Sequence, residues 1–466
     1  MAETWPGDRQ NRWLGGEKRL AGSWKRETIK DQRPTAVVGR VIWGILARIN
    51  VMSTPDQKEP AMSRRGLLGG AAALAASASM LGGVNVLAAD ASKPATTGRK
   101  IKVGLVGCGG RGDWLMPLFM KHGGYELQAL ADYFPEVAEA AGAKFGVAKT
   151  RRFSGLSGYK RLIDSGVEAV LIEDVPYFYP EQAKAAVEAG LHVYMAKPIA
   201  VDVPGCLIIG AAAKQATQKQ RCFLVDYQLP HDPVCIEVAT RVREGGLGKL
   251  AHIASFGIAW QAWPDPPLGK NIESRLRDQI WLSDTALSGD TIVSYDIHII
   301  DGIVWLLGQR PVSACGRSRV CRPEPHGDRT DAAAVIYEMN DGTLWTHVTQ
   351  SINNNLDITT LSASLCGMQA TAHLQYGGKN YVRGGTKHYS GASGDIFTEG
   401  AVKNIAAFYQ NIVEGHHENL SAQRAVDGTL TAILGREAAA RGCFLTMGDL
   451  IKENKRLKVN LGGMKG

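Results

Sequence analysis

Cysteine is scarce in this sequence and is not arranged as a metal or disulfide site. The eight cysteines among 466 residues are widely spaced, with no C-x-x-C pair and no histidine pair at the spacing of a zinc site. These absences exclude a small disulfide-stapled domain and argue against a structural metal. We therefore expect the cysteines to be small buried side chains: Cys108, Cys206, Cys222, Cys235, Cys315, Cys321, Cys366 and Cys443.

Charge is also limited, and its excess lies in one place. Charged residues make up 21% of the chain and hydrophobic residues 45%, which excludes a disordered or coiled-coil protein and is typical of a globular protein of two or three domains. The formal net charge is +8, but residues 1–65 hold 13 Lys and Arg against 7 Asp and Glu, a net of +6. The remaining +2 predicts no nucleic-acid partner and no membrane-surface patch.

The basic N-terminal region ends in a pattern that predicts export. Arg64 and Arg65 directly precede an uncharged stretch rich in Ala and Gly, residues 66–89, which closes with small residues around Ala88 and Ala89. Residues 63–89 resemble a twin-arginine (Tat) signal, with cleavage near Ala88 or Ala89. We therefore expect a periplasmic or other extracytoplasmic mature protein.

Two alternatives remain open for this N-terminal region. About 20 apolar residues are enough to span a bilayer, but strongly apolar residues are few in the stretch, so we expect no stable membrane insertion of the mature chain. The basic extension, residues 1–62, is long for the start of a signal peptide. Met52 or Met62 is therefore an alternative start of translation.

A glycine-rich loop follows the first predicted strand of the globular region. Residues 101–106 form a short apolar run, and a G-x-G-x-x-G motif comes directly after it and before a predicted helix. Glycines are needed there for a tight turn, for the approach of a diphosphate and for close helix packing. The motif predicts a dinucleotide site at Gly107, Cys108, Gly109, Gly110, Arg111 and Gly112.

An acidic residue at the end of the second strand indicates which dinucleotide binds. Asp132 ends the run of residues 126–131 and lies twenty residues after Gly112. A carboxylate there accepts both ribose hydroxyls of NAD and repels a 2′-phosphate, so NAD is favoured over NADP. Arg111 keeps NADP open as an alternative, because a loop arginine can reach a phosphate.

Further strand and helix alternations complete a parallel sheet. Strands are predicted at 167–172, 191–195 and 221–225, with a helix over 181–189 that begins after Pro180. Ligands of such sheets bind beyond the carboxyl ends of the strands. Three residues fall at those ends: Pro176, Tyr179 and Lys197.

From residue 101 to the C-terminus the chain resembles the glucose-fructose oxidoreductase / inositol dehydrogenase / MocA (Gfo/Idh/MocA) family. The resemblance rests on the glycine loop with Asp132, the x-K-P at Lys197, Tyr227-Gln228 and a helix bearing His298 and Asp301. It implies an α/β fold, with a Rossmann domain over 99–226 and a substrate and oligomerisation domain over 227–466 built on a large open, mainly antiparallel sheet. Strand-like runs agree with it: 251–257, 312–320, 332–338, 343–349, 359–366 and 369–374.

The resemblance also implies catalytic residues, with departures from the family pattern. Lys197 matches the lysine of the usual E-K-P, although Ala196 replaces the glutamate. His298 matches the family histidine that acts as general base or substrate ligand, but Ser294 stands where the family has an aspartate. On one continuous helix Asp301 shares the face of His298 and is expected to steady its imidazole, whereas Asp296 points away.

Aromatic residues and the nicotinamide side complete the predicted site. We expect Pro176 to lie near the cofactor, and Tyr179 and Tyr227, with Ser294, to contact a polyol. Packing in the core is the open alternative for both tyrosines. Two roles likewise remain open for His298: transfer of a proton, or a hydrogen-bonded position at an interface without proton transfer.

The function that this implies is an NAD-dependent oxidoreductase. It would move a hydride to or from a hydroxyl-bearing carbon of a sugar, cyclitol or sugar derivative, with Lys197 and His298 flanking the reacting C–O group. Two alternatives remain: an NAD-dependent glycoside hydrolase that oxidises, eliminates and re-reduces one sugar, and a nucleotide-retaining protein without turnover. By resemblance to exported relatives we expect a tightly bound NAD and a homo-oligomer.

Overall fold

The computed structural model describes residues 98–259, 271–277, 279–322, 327–352 and 360–466. The basic extension at 1–62 and the signal at 63–89 lie outside the described residues, so their interpretation stays a prediction. Within these ranges no helix is long and apolar enough to cross a membrane.

The first half of the described chain forms a parallel sheet of six strands with helices between them. The strands are β1 (Ile101–Val106), β2 (Tyr125–Asp132), β3 (Arg152–Ser154), β4 (Ala169–Ile172), β5 (His192–Met195) and β6 (Phe223–Val225). The helices are α1 (Gly110–His122), α2 (Pro135–Lys144), α3 (Gly158–Ile163), α4 (Tyr179–Glu188) and α5 (Val203–Gln218). The strand order is β3-β2-β1-β4-β5-β6, which confirms the predicted Rossmann topology.

Sequence patterns explain these elements. Strand β4 is buried at every position, as expected for a parallel strand covered by helices on both sides. Helix α5 begins at Asp202, whose carboxylate accepts a hydrogen bond from the backbone N–H of Gly205 at 2.8 Å. Strands β2 and β3 lie on one side of β1, and strands β4, β5 and β6 lie on the other, so the strand order changes direction between β1 and β4. A ligand crevice is expected beyond the carboxyl ends of these two strands.

The second half is built on a sheet of nine strands. These are β7 (Leu250–Ala259), β8 (Ser313–Arg319), β9 (Ala332–Glu338), β10 (Leu344–Ser351), β11 (Thr360–Gly367), β12 (Ala370–Gln375), β13 (Gly378–Gly384), β14 (Tyr389–Ser393) and β15 (Leu445–Thr446). Their order is β14-β13-β12-β11-β7-β10-β9-β8-β15, and every neighbouring pair is antiparallel except β7 with β10. The predicted large and mainly antiparallel sheet is confirmed.

Eight α-helices of the described residues accompany this sheet. They are α6 (Pro233–Arg243), α7 (Ile272–Arg275), α8 (Thr285–Ser288), α9 (Asp290–Ser294), α10 (Ile297–Leu307), α11 (Ile396–Glu414), α12 (Leu420–Arg441) and α13 (Met447–Glu453). Burial alternates along β9, so one face of the sheet packs on helices and the other is exposed.

Two late helices join the two sheets. Helix α12 contacts both α5 and α10. Helix α11 packs on α1 and on the start of β2, where the hydroxyl of Tyr125 donates to the carbonyl of Ile405 at 2.7 Å and Phe408 stacks on the ring of Tyr125. The second half of the chain also reaches the carboxyl edge of the parallel sheet, where Lys197, after β5, donates to the backbone carbonyl of Ser294.

Candidate functional site

The glycine loop between β1 and α1 is shaped by contacts that only glycine permits. Gly107 has φ of +85°, and a Cβ there would lie 2.5 Å from the backbone nitrogen of Asp174. A Cβ on Gly112 would lie 2.0 Å from the carbonyl oxygen of Gly107. A Cβ on Gly109, in contrast, would meet no described atom within 4 Å. The loop is thus tight on the protein side and open at Gly109.

Asp132 lies directly beside this loop. Its two carboxylate oxygens accept hydrogen bonds from the backbone N–H groups of Cys108 and Phe134, each at 2.9 Å. Burial raises the pKa of Asp132 to about 6, and these two hydrogen bonds oppose the rise. A carboxylate held in this position keeps free lone pairs for further hydroxyl donors.

Arg111 turns away from the loop toward two buried carboxylates. Its guanidinium pairs with Glu173 at 2.9 Å and contacts Asp226, and the side chains of both acids are fully buried. Glu173 follows β4 and Asp226 follows β6, so the arginine ties the start of α1 to two strand ends. Arg111, the residue that keeps NADP open as an alternative, is thus already paired with Glu173 and Asp226.

Lys197 lies after β5, in a cis peptide bond with Pro198. Its Nζ donates to the backbone carbonyl of Ser294 at 2.8 Å. Burial lowers the pKa of Lys197 to about 7, and the charge of Arg111 adds to the lowering, while Asp226 and Asp296 oppose it. Lys197 can therefore exchange a proton near neutral pH.

His298 is the second predicted residue at this edge. It is 8% exposed, and its ring lies 4.6 Å from the ring of Tyr376. Burial lowers the pKa of His298 well below its ordinary value, and Lys197 and Arg111 lower it further. The imidazole is therefore neutral at pH 7, and its buried Nδ1 has no hydrogen-bond partner among the described residues. The charge of Lys197 thus acts on the imidazole of His298.

The predicted continuous helix through Ser294 and His298 is wrong. Helix α9 ends at Ser294 and α10 begins at Ile297, with a break at Tyr295 and Asp296. The helical-wheel argument therefore does not apply across this segment.

The role predicted for Asp301 is also wrong. Both of its carboxylate oxygens accept from Nε of Arg424 at 3.2 Å, so the carboxylate serves this buried ion pair instead of the imidazole of His298. Arg424 lies on α12, and the pair joins α10 to α12.

Three predicted substrate ligands have different surroundings from those expected. Ser294 meets Lys197 through its backbone carbonyl, not its hydroxyl. Tyr227 is 1% exposed and lies under the guanidinium of Arg424, so its predicted substrate contact is wrong and the core alternative is correct. Tyr179 is 3% exposed; burial raises its pKa, and Glu173 and Asp174 add to the rise, so it lies among the carboxylates at the crevice.

Sequence reasoning missed several residues of the site. The hydroxyl of Tyr376 donates to Gln228 Oε1 at 2.8 Å, and its ring lies against His298. Asn404 of α11 donates to Asp226 Oδ1 at 2.7 Å. Glu173 and Asp226 carried a signal, because each directly follows a predicted strand. Tyr376 and Asn404 carried none, since they are far away in sequence.

The last residues of the chain run along the same edge. The backbone N–H of Leu457 donates to Asp202 Oδ2 at 2.8 Å, and the carbonyl of Lys465 accepts from Leu156 N at 3.0 Å. The N–H of Lys465 donates to the hydroxyl of Tyr133 at 3.2 Å. Val459 and Met464 pack on an apolar cluster that includes Phe134, Val175, Leu276 and Leu287. This tail therefore covers the carboxyl end of β2, next to Asp132.

The residues of the loop fit a dinucleotide. Gly109 leaves open the space that a side chain would fill, and the N-terminus of the 13-residue helix α1 points its free N–H groups toward it. Asp132 offers carboxylate oxygens one strand away. The placement of Pro176 against a nicotinamide stays a prediction.

Comparison with known families agrees with both halves of the structure. Residues 101–226 match the model described as "Oxidoreductase family, NAD-binding Rossmann fold", and residues 236–372 match the "GFO/IDH/MocA C-terminal domain". Together these matches span more than half of the chain.

Curated relatives are distant. The chain is 27% identical over 249 residues to inositol 2-dehydrogenase 3 of Saccharopolyspora erythraea, covering 52% of this chain and 64% of that protein. It is 26% identical over 251 residues to glycosyl hydrolase family 109 protein 4 of Phocaeicola vulgatus, covering 49% of this chain and 48% of that protein. The chain thus spans less than two thirds of the length of either relative.

Solved structures share the fold. A levoglucosan dehydrogenase in complex with NADH and levoglucosan superposes with a TM-score of 0.61 at 18% identity, covering 75% of this chain and 100% of that chain. The aldose-aldose oxidoreductase of Caulobacter crescentus, complexed with glycerol, gives 0.59 at 20% identity over the same shares.

Proposed function

This chain belongs to the Gfo/Idh/MocA family of oxidoreductases, and on that basis we propose that it transfers a hydride between NAD and a hydroxyl-bearing carbon of a sugar, cyclitol or sugar derivative. The observation that carries the proposal is the bond from Lys197, after β5, to the backbone carbonyl of Ser294, four residues before His298, together with the charge effect by which Lys197 lowers the pKa of His298. A cationic donor and a neutral imidazole at one crevice are the groups that alcohol oxidation requires.

Each residue has a definite role in this proposal. Bound NAD supplies the hydride acceptor. Lys197 donates a hydrogen bond to the reacting oxygen and stabilises its developing negative charge. Neutral His298 accepts the hydroxyl proton, and its ring is held against Tyr376. Arg111, paired with Glu173 and Asp226, fixes the position of the loop and adds positive potential to the site.

NAD is favoured over NADP in this proposal. Asp132 places a buried carboxylate where a 2′-phosphate would lie, and Arg111 is occupied by Glu173 and Asp226. A further arginine, Arg277, lies over the ring of Phe134, two residues after Asp132, at 3.8 Å and is paired with Glu136 at 2.7 Å. Its charge is therefore already balanced.

Tight retention of the nucleotide is supported by the C-terminal tail. The contacts of Leu457 and Lys465 hold the tail across the end of β2. A nucleotide bound beside Asp132 would lie under it, so release would require these contacts to break. An exported enzyme that meets little free NAD needs such retention.

Relatives support a second candidate function. The family 109 glycosyl hydrolase of Phocaeicola vulgatus matches as well as the inositol dehydrogenase of Saccharopolyspora erythraea does. A hydrolase that oxidises, eliminates and re-reduces its sugar would use the same lysine, histidine and retained NAD, without net redox change.

One set of assays separates these functions. The purified protein is denatured to identify the released nucleotide, and the native protein is then incubated with free cyclitols, sugars and aryl glycosides. Steady NADH formation with a free polyol supports the dehydrogenase. Glycoside cleavage without net NADH supports the hydrolase, and bound nucleotide with neither activity supports a non-catalytic protein.

We further propose export by the Tat route and assembly into a homo-oligomer. The twin arginines at 64 and 65 support export, and a mature N-terminus found upstream of Arg64 would contradict it. Exposed apolar side chains on one face of the second sheet, Phe256, Ile336, Leu344 and Val348, support assembly. A monomeric molar mass of the purified protein, measured by light scattering, would contradict the assembly.

A further inference from the structure

The family pattern has an aspartate at the position of Ser294, and the structure places a different carboxylate close by. Asp296 lies at the break between α9 and α10 and is completely buried. Ser294, two residues earlier, accepts the hydrogen bond of Lys197 through its carbonyl. The short segment 294–296 thus holds both the backbone carbonyl that accepts from Lys197 and the buried side chain of Asp296.

Asp296 is held by a histidine from the second sheet. His347 Nε2 lies 2.9 Å from Asp296 Oδ2, and His347 is also completely buried. Its Nδ1 lies 2.8 Å from Ser255 Oγ, which accepts from Trp345 Nε1 at 2.6 Å. Because an ionised carboxylate only accepts, Nε2 carries the proton of the bond to Asp296. In the neutral imidazole Nδ1 is then an acceptor for the Ser255 hydroxyl.

The backbone of β7 is adapted to this carboxylate. A Cβ on Gly257 would lie 1.8 Å from Asp296 Oδ1, so glycine at this strand position leaves room for the acid. Oδ1 is buried and makes no hydrogen bond among the described residues. A buried carboxylate with one oxygen unpartnered needs a nearby positive charge to remain ionised.

The positive charge available to it is the ammonium group of Lys197. Burial raises the pKa of Asp296, whereas His347, the hydroxyl of Thr349 and the charge of Lys197 lower it. Asp296 in turn raises the pKa of Lys197, against the lowering by burial and Arg111. The other carboxylate acting on Lys197 is Asp226, and Asp296 also raises the pKa of Tyr295 and Tyr337.

We propose that Asp296, fixed by His347, is the positioning residue that keeps Lys197 charged and oriented, in place of the aspartate that Ser294 has replaced. Asp296 acts through Lys197 and not on the substrate. The proposal rests on the proposed function only for the catalytic role of Lys197. The pairing itself can be tested without turnover.

The test is competitive acetylation of the purified full chain with acetic anhydride across pH 5 to 10, with the labelling of Lys197 followed by peptide mass spectrometry. Lys197 is half-buried, so the reagent can reach it. In the native protein we expect half-maximal reactivity near pH 7, because burial lowers its pKa to about 7. Lys219, which donates to the carbonyls of Val187 and Glu188, is the internal reference.

Asp296→Asn should lower the Lys197 midpoint by about half a pH unit or more, which is about a threefold faster labelling at pH 6. His347→Leu should shift the midpoint in the same direction, because it removes the donor that keeps Asp296 ionised. His347→Gln retains an N–H donor and should restore most of the native midpoint. The Lys219 profile should be the same in all variants.

An Asp296→Asn protein with the native fold by circular dichroism and an unchanged Lys197 midpoint overturns the proposal. If that variant does not fold, equal midpoints in His347→Leu and His347→Gln overturn it. His192→Gln, which replaces another buried histidine whose Nδ1 accepts from Cys222 N, controls for general loosening and should leave the midpoint unchanged. Absence of sugar oxidation contradicts the proposed function and leaves this inference standing.

Discussion

The ammonium group of Lys197 donates a hydrogen bond to the backbone carbonyl of Ser294 across a separation of 97 residues, at 2.8 Å. This bond connects the end of β5 in the first sheet to the end of α9 in the second half of the chain. The two halves therefore meet at the lysine that the sequence motif identifies as catalytic.

The first prediction concerns the pH dependence of turnover. Because the pKa of Lys197 is lowered to about 7, the lysine loses its proton as pH rises through 7. Deprotonated Lys197 no longer carries the charge that stabilises the developing oxyanion, so polyol oxidation should fall as pH rises through this range. Initial rates of oxidation from pH 5 to 9 check this. A rate that rises through pH 7 and levels off above it would contradict the cationic role of Lys197.

The second prediction separates binding from folding at the glycine loop. Gly109→Ala should leave the melting temperature of the nucleotide-free protein unchanged, since the new Cβ meets no described atom within 4 Å. It should weaken NAD binding about tenfold or more, because the methyl group occupies the space of the diphosphate. Calorimetric titration with NAD checks this.

Gly146→Ala is the control for that variant. Gly146 has φ of +73° and open space around it, so alanine there should cost about 1 kcal/mol of stability through backbone strain and leave NAD affinity unchanged. Equal NAD affinities of the Gly109 variant and the native protein would show that the loop does not hold the diphosphate.

The third prediction concerns the buried ion triad. Arg111→Met leaves Glu173 and Asp226 buried without their counter-charge and should lower the free energy of unfolding by about 3 to 5 kcal/mol at pH 7. Lys144→Met, which breaks a pair with Asp113 in which both side chains are about half exposed, should cost at most about 1 kcal/mol.

The loss in Arg111→Met should grow with pH. Burial raises the pKa of Glu173 from 4.5 to about 8, with Arg111 opposing. A group whose pKa is raised in the folded state stabilises most below its unfolded pKa and loses that contribution as pH rises through the folded value. Without Arg111 the pKa of Glu173 rises further, so the stabilities of the variant and the native protein diverge as pH rises through about 8. Melting temperatures at pH 6 and pH 9 check the sign, and a smaller difference between variant and native protein at pH 9 would contradict it.

The fourth prediction tests the tail. Removal of residues 455–466 breaks the bonds at Leu457 and Lys465 and uncovers the apolar cluster at Phe134. At about 1 kcal/mol per hydrogen bond, NAD release should become about tenfold faster or more. Stopped-flow release of bound nucleotide measures this. Tyr133→Phe removes only one of these bonds and should give a smaller increase.

Much of the fold follows from local sequence, whereas the site depends on long-range contacts. Apolar runs predicted the strands from β1 to β12 except the three-residue β3, because burial on one or both faces leaves a clear pattern. Strands β13 and β14 were not predicted, since GKNYVRG and YSGAS are short, polar and rich in glycine. The N-cap of α13 is also a local feature, since the hydroxyl of Thr446 accepts from the backbone N–H of Asp449 at 3.0 Å.

Residue roles were harder to predict. Asp301 could be aligned with His298 only on the assumption of an unbroken helix, and nothing between Ser294 and Ile297 resembles a helix break. Its partner Arg424 lies 123 residues away. His347 likewise reaches Asp296 from a strand 51 residues later. Such pairs are set by how the two sheets pack together, which spacing in the sequence does not reveal.

The central claim is that this site moves a hydride between retained NAD and a polyol with the help of Lys197. The most direct measurement is the absorbance of the nicotinamide in the purified protein after addition of myo-inositol, levoglucosan and simple aldoses in turn. The native protein is compared with Lys197→Met, and Lys184→Met, which replaces an exposed lysine, is the control. The account predicts reduction of the nucleotide by at least one polyol in the native and control proteins, and at least a hundredfold slower reduction in Lys197→Met with nucleotide still bound. Equal rates in Lys197→Met and the native protein would contradict it.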